Sequence, residues 1–247
     1  MADCDTDQCR LLLHHVVPGI GVLTALWIFV APLASVRGIQ DSQSIGAVNP
    51  LPFPMIVANC LCWLVYGLLV QDPYVFGPNI AGYQLGLYYT LTAYNHADAA
   101  FRSRVLTILV ASSLLVFSGG FISFIVLHGQ GDARTIMGSI CVVILAVFYS
   151  APLSTVRQVI KRRDSSPIDL TLAIASIANS SLWTVYGFAV SDGFIWGPNL
   201  LGVVFGAVQF GLMAIFPRRS STLARLDAVS AGGGRGEEAR LTSTDSD

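Results

Sequence analysis

The chain has 247 residues, 53% of them apolar and only 12% charged, with a mean hydropathy of +0.64 and a formal net charge of −1. A soluble domain carries roughly 25% charged residues, so half of the expected water-facing surface is missing. Near-neutral charge with scattered basic residues gives no case for a nucleic-acid partner.

The first nine residues are acidic and flexible in composition, and the apolar run after them continues well past the length of a cleavable signal peptide. Seven apolar stretches follow, near Val16–Val36, Leu51–Val70, Tyr74–Tyr94, Val105–Leu127, Thr135–Val156, Leu170–Val190 and Phe194–Phe216. Each is long enough to cross a ~30 Å hydrocarbon layer as a helix, and none contains Lys, Arg, Asp or Glu. A barrel would alternate apolar and polar residues over ~10-residue segments, so the expected fold class is an all-α integral membrane bundle of seven helices. The expected parts are an extracellular N-terminus over 1–13, a three-helix unit over 14–97 and a linker helix over 98–130. A second three-helix unit over 131–217 and a disordered cytosolic tail over 218–247 complete the chain.

Cations fix the orientation. One set of loops carries Arg37, Arg102, Arg104, Arg157, Lys161, Arg162, Arg163, Arg218 and Arg219, while the other has only Arg10 and Arg134 near the membrane. Positive-inside bias places the N-terminus outside and the C-terminus in the cytosol. The expected location is a multi-pass protein of the plasma membrane, with an endomembrane as the alternative. Cys60, Cys62 and Cys141 read as small buried hydrophobes. Cys4 and Cys9 lie on the oxidising side and are candidates for a disulfide.

Sliding the chain by 120 residues aligns two segments without a gap. Ala31-Pro32-Leu33 meets Ala151-Pro152-Leu153, and Asn59, Trp63, Tyr66 and Gly67 meet Asn179, Trp183, Tyr186 and Gly187. Asp72 meets Asp192, Gly77-Pro78-Asn79 meets Gly197-Pro198-Asn199, and Gly82 and Gly86 meet Gly202 and Gly206. Chance likeness between apolar helices comes from Leu, Val and Ala, whereas these matches are Trp, Asn, Pro, Gly and Asp. The chain is an internal duplication. Three spans begin and end on opposite sides, so the unmatched fourth span restores the second unit to the orientation of the first. Such parallel repeats recur in transporters, with the substrate site at the repeat interface near the midplane.

The repeated polar residues carry the chemistry. Asn59 and Trp63 are four apart, as are Asn179 and Trp183, so each pair shares a helix face. A transmembrane Trp usually belongs to the interfacial belt, which suits Trp196 at a helix start but not the deeper Trp63 and Trp183. A transmembrane Asn usually braces helices. Four in matched positions favour a polar cavity instead. Asn amides offer donors and acceptors to hydroxyl groups, and an indole face packs on the C–H face of a sugar ring. Gly82/Gly86 and Gly202/Gly206 read as close-packing notches, and Gly67 and Gly187 as hinges or notches. Pro32 and Pro152 sit late in the first helix of each unit, where a missing N–H loosens the helix. Tyr66, Gly67, Tyr186, Gly187, Asp72 and Asp192 join these prolines as gating candidates.

The doubled Trp-x-x-Tyr-Gly, the doubled Gly-Pro-Asn and the Ala-Pro-Leu pair resemble the SWEET family of sugar transporters over roughly Pro18 to Pro217. The resemblance implies facilitated, bidirectional passage of mono- or disaccharides by alternating access. It makes Asn79 and Asn199 the central sugar-binding pair, with Trp63 and Trp183 stacking above and below and Asn59 and Asn179 one turn away. It also implies an inner gate of four prolines, of which Pro32, Pro52 and Pro152 stand at three places. At the fourth this chain has Asp169, with Pro167 two residues upstream.

A proton-driven carrier needs an ionisable relay within the membrane. The spans hold no such acid or base, and His14, His15, His96 and His128 all lie near span ends, so uniport is expected. No paired carboxylates, metal-ligand spacing or activated nucleophile is present, so neither an enzyme nor a cofactor or metal is expected. A seven-helix receptor is the rival class, but it would not require a duplicated unit. The expected partners are a sugar substrate and the lipid bilayer, and a homo-oligomer is compatible with the sequence.

Overall fold

The computed structural model describes residues 6–46, 48–128, 131–148 and 150–218, with the side chains at 148 and 150–152 outside the described set. The described chain forms seven helical rods and no strand. They are α1 (Asp7–Ser42), α2 (Pro52–Leu69), α3 (Pro73–Asn95), α4 (Ala99–Val126), α5 (the two stretches Ala133–Phe148 and Ser150–Arg162, under one label), α6 (Leu170–Ala189) and α7 (Gly193–Ile215).

The first, third, fourth and fifth rods outrun their apolar stretches, whereas the other three match theirs to within a residue at each end. The side chains of Thr6, Asp72, Asp98, Asp169 and Asp192 each accept a bond from the first turn that follows. The linker helix starts at Ala99, inside the expected 98–130 and ahead of its apolar stretch at Val105, and the first rod runs from Asp7 rather than Val16. Five rods are long and apolar enough to span a membrane, and α5 adds the shorter apolar stretch Ala133–Val147. The exception, α3, has 23 residues, but Gly-Pro-Asn, Gln84 and several Tyr and Thr dilute its hydropathy. Part of it packs against α1 and α2, while Ile80 and Leu91 face outward. Large apolar side chains such as Leu23, Leu114 and Ile215 face outward, as a bilayer requires.

Packing follows the duplication. Within the first unit α3 lies against α1 and α2, and within the second α7 lies against α5 and α6. Between units, α1 packs on α6 and α2 on α5, which are the same contact with the two units exchanged. The linker α4 packs on α2 and α5. The backbone repeats even where residue types differ. Gln43 and Arg163 have φ of 52° and 51°, and Gln71 and Ser191 have 56° and 54°, each pair separated by the repeat offset. Each ends a helix without glycine, and the next residue's N–H bonds back five residues, Ser44 to Ile39, Asp164 to Val159, Asp72 to Gly67 and Asp192 to Gly187, which holds the left-handed conformation.

Cys9 is disulfide-bonded, and Cys4 lies outside the described residues. Cys60, Cys62 and Cys141 are free and buried.

Candidate functional site

Two layers of matched residues lie along the boundary between the units. The first, on the face that bears the N-terminus, is a crossed pair of hydrogen bonds. Tyr66 donates its hydroxyl to Asp192 Oδ2 at 2.7 Å, and Tyr186 donates to Asp72 Oδ2, also at 2.7 Å. Each tyrosine thus bonds to an aspartate of the other unit. The aspartates are held in turn by their second oxygens: Asp72 Oδ1 caps Tyr74 and Val75, and Asp192 Oδ1 caps Phe194. Arg134, at the start of α5, reaches Asp192 Oδ2 at 2.6 Å and donates through Nε to the Tyr66 hydroxyl at 3.3 Å.

Gly67 and Gly187 make this layer possible. A Cβ on Gly67 would stand 2.6 Å from the backbone N of Phe76, and one on Gly187 2.5 Å from that of Trp196. The α2–α3 and α6–α7 turns could not close so tightly around a larger residue. These positions are notches in this conformation.

Trp63 and Trp183 lie one turn deeper, edge-on to Tyr66 and Tyr186 with centroids 5.6 and 5.8 Å apart. All four rings belong to one buried cluster that joins the units, together with Cys62, Cys141, Val116 and Met137. Gly21 of α1 lets the Trp183 ring approach, since a Cβ there would sit 3.3 Å from it.

The second layer holds the asparagines. Asn59 precedes Tyr66 by seven residues and Asn79 follows Asp72 by seven, with Asn179 and Asn199 in the same relation in the second unit. At 1.5 Å per residue, this sets the amides roughly 10 Å below the crossed bonds. All four are partly exposed. Asn79 and Asn199 donate to the carbonyls of Val75 and Ile195 at 2.7 and 2.8 Å, next to the buried Pro78 and Pro198. That bond orients each amide and leaves its carbonyl oxygen without a partner among the described residues, able to accept a hydroxyl proton.

Asn59 and Asn179 differ. Asn179 Oδ1 accepts from Thr24 at 2.9 Å and from Trp183 Nε1 at 3.1 Å. Thr24 corresponds to Ile144 at the repeat offset, which has no hydroxyl, and Asn59 Oδ1 is buried without a partner.

At the opposite face, Pro32 interrupts α1 between Val30 and Leu33, and Tyr89 of α3 donates to the nearby carbonyl of Phe29 at 2.9 Å. Pro52 is the first residue of α2. Pro152 lies on the Ser150–Arg162 stretch with its side chain outside the described set. Asp169 Oδ1 accepts from Leu172 N at 3.0 Å and caps α6. Its counterpart Asn49 bonds Leu51 N at 3.2 Å, in a turn just ahead of its helix. Trp196 stacks on Phe188 at 4.6 Å and 11°, away from the deeper pair, so packing holds it as well as its place at a helix start.

Sequence reasoning missed Thr24 and Arg134. Both stand where the repeats mismatch, Thr24 against Ile144 and Arg134 against His14. A mismatch inside a matched frame was the signal for each.

Comparison with known proteins places these residues in context. The family model described as "Sugar efflux transporter for intercellular exchange" matches twice, over residues 15–97 and 135–221, together more than half of the chain. The human protein named sugar transporter SWEET1 is 31% identical, covering 83% of this chain and 92% of its own. The rice (Oryza sativa subsp. japonica) bidirectional sugar transporter SWEET4 is 30% identical, covering 80% of this chain and 77% of its own. A eukaryotic SWEET transporter structure shares the fold with a TM-score of 0.75 at 24% identity, over 83% of this chain and 97% of that one.

Proposed function

This chain belongs to the SWEET family of sugar transporters, and from that premise we propose that it is a facilitative uniporter moving mono- or disaccharides in both directions by alternating access. It is a multi-pass membrane transporter and not an enzyme. The observation that carries the mechanism is the matched placement of Asn79 and Asn199, each tied by its amide N–H to its own helix about two turns from the crossed bonds. In this state the crossed bonds close the N-terminal face above the asparagine layer.

The moving bodies are the two units, 14–97 and 131–217, held at fixed stagger by the linker helix over 98–130. Sugar hydroxyls donate to Asn79 and Asn199, while Trp63 and Trp183 pack on the ring. Asn179, already bonded to Thr24 and Trp183, serves as a fixed wall. The unpartnered Asn59 oxygen gains most from a hydroxyl, since a buried polar atom without a partner costs ~1–3 kcal/mol. Release follows when the units rock about the notches at Gly67 and Gly187. Tyr66 and Tyr186 then leave Asp192 and Asp72, and Pro32, Pro52 and Pro152 draw the opposite face closed.

Without an ionisable group at the asparagine layer there is nothing for a proton to load, which supports uniport. The cation-rich loops support a cytosolic C-terminus. Uptake of radiolabelled hexoses and disaccharides in transporter-deficient cells tests the reading. Saturable uptake is expected, and its absence in cells bearing the protein at their surface would overturn it.

A further inference from the structure

The crossed gate is built from matched residues, but its two halves are not equal. In one half, the Tyr66 hydroxyl both donates to Asp192 and accepts from Arg134. In the other, the Tyr186 hydroxyl donates to Asp72, and among the described residues no cation answers Arg134. The matched position holds His14, and neighbouring His15 engages the Tyr74 hydroxyl at 2.9 Å instead.

Burial follows the charge. Asp192 is 2% exposed, which a carboxylate tolerates only with a close counter-charge, whereas Asp72 keeps partial contact with solvent. Arg134 is itself 48% exposed, so its remaining donor group is free to hydrate. The planar guanidinium suits this task, because it presents separate N–H groups to the carboxylate and the phenol at once.

Arg134 and Asp192 belong to the same unit, and Tyr66 belongs to the other. The ion pair therefore stays intact when the units part, and only the tyrosine leaves. We propose that Arg134 is the positioning residue of a one-sided latch: it holds Asp192 ready and gives Tyr66 a second bond, so that closure of the N-terminal face depends on the Tyr66 half far more than on the Tyr186 half. This rests on the alternating-access reading above.

Cys62 and Cys141 give a native readout. Their sulfurs lie 2.9 Å apart, fully buried in the cluster directly beneath the gate. The test is the rate at which a membrane-impermeant thiol reagent, applied from the N-terminal face, labels these cysteines in full-length protein in sealed proteoliposomes. Arg134→Gln and Tyr66→Phe are each expected to raise that rate about tenfold or more, the equivalent of one charge-assisted hydrogen bond. Tyr186→Phe also removes a bond to a carboxylate, but one bond where Tyr66→Phe removes two, and is expected to raise the rate severalfold less than Tyr66→Phe. Arg134→Lys keeps the charge without the fork and is expected to fall between wild type and Arg134→Gln.

Sugar kinetics supply a second measurement. Opening the latch lowers the half-saturation constant for sugar presented to the N-terminal face relative to the other face, because the competent state is then more populated. A merely structural Arg134 would lower the melting temperature and leave both ratios unchanged, which would overturn the proposal. Equal effects of Tyr66→Phe and Tyr186→Phe would overturn it as well, even if Arg134→Gln failed to fold. Failure of the transport reading itself is distinguishable, since it would leave the wild type without uptake.

Discussion

Replacing Gly67 by alanine perturbs the fold at the place where α2 turns into α3. The new Cβ would lie 2.6 Å from the backbone N of Phe76, 2.8 Å from its Cβ and 3.0 Å from its Cα. Ordinary contacts fall near 3.5–4.0 Å, so the start of α3 must retreat by roughly 1 Å. Two of the three obstructing atoms are backbone and have no rotamer to adopt. Overpacking of this kind costs ~1–3 kcal/mol, against a helix-propensity gain of up to ~1 kcal/mol for removing glycine. Gly187→Ala meets the same obstacle at Trp196. Gly38, exposed on α1 with nothing within 4 Å of its would-be Cβ, is the control. Thermal melting in detergent should show Gly67→Ala and Gly187→Ala falling by several degrees, at roughly 2–4 °C per kcal/mol, while Gly38→Ala holds or rises. Wild-type melting for both notch variants would refute the steric argument and leave these glycines as hinges without a packing role.

Asn79→Ala and Asn199→Ala should each abolish sugar uptake with near-normal surface expression, because the amide that meets the hydroxyl is gone; normal uptake by the double variant would remove the cavity assignment. Trp63→Ala and Trp183→Ala should weaken sugar binding more than Trp196→Ala, whose ring stacks on Phe188 instead, as read by sugar titration of purified protein. Asp169→Asn should be nearly silent because the cap on Leu172 survives, whereas Asp169→Ala should cost about 1 kcal/mol of stability and leave uptake per folded molecule unchanged. A stable Asp169→Asn protein without uptake would instead make the charge part of the inner gate.

The seven rods and the duplication were legible because both rest on patterns that survive in one dimension: apolar length, and Trp, Asn, Pro and Gly at a fixed offset. The tyrosines and aspartates of the gate were legible only as matched residues. Nothing in the linear order says that Tyr66 bonds the aspartate of the other unit, since that crossing depends on α1 packing on α6 and α2 on α5. The start of the first rod was misjudged at Asp7 because hydropathy marks the hydrocarbon layer, while the helix continues to its polar cap. Thr24 and Arg134 escaped because the repeat directs attention to what is shared, and their roles come from breaking it. The asymmetry between Asn59 and Asn179 arises in the same way, from one hydroxyl present in α1 and absent at Ile144 of α5.

The most direct test of facilitated alternating access is sugar counterflow. Purified protein in proteoliposomes preloaded with unlabelled sugar should draw in a trace of labelled sugar above its equilibrium level, then release it, with a protonophore making no difference. A carrier that shows no such overshoot, or that accumulates sugar only when a pH difference is imposed, would contradict the uniport mechanism built on the asparagine layer and its crossed gate.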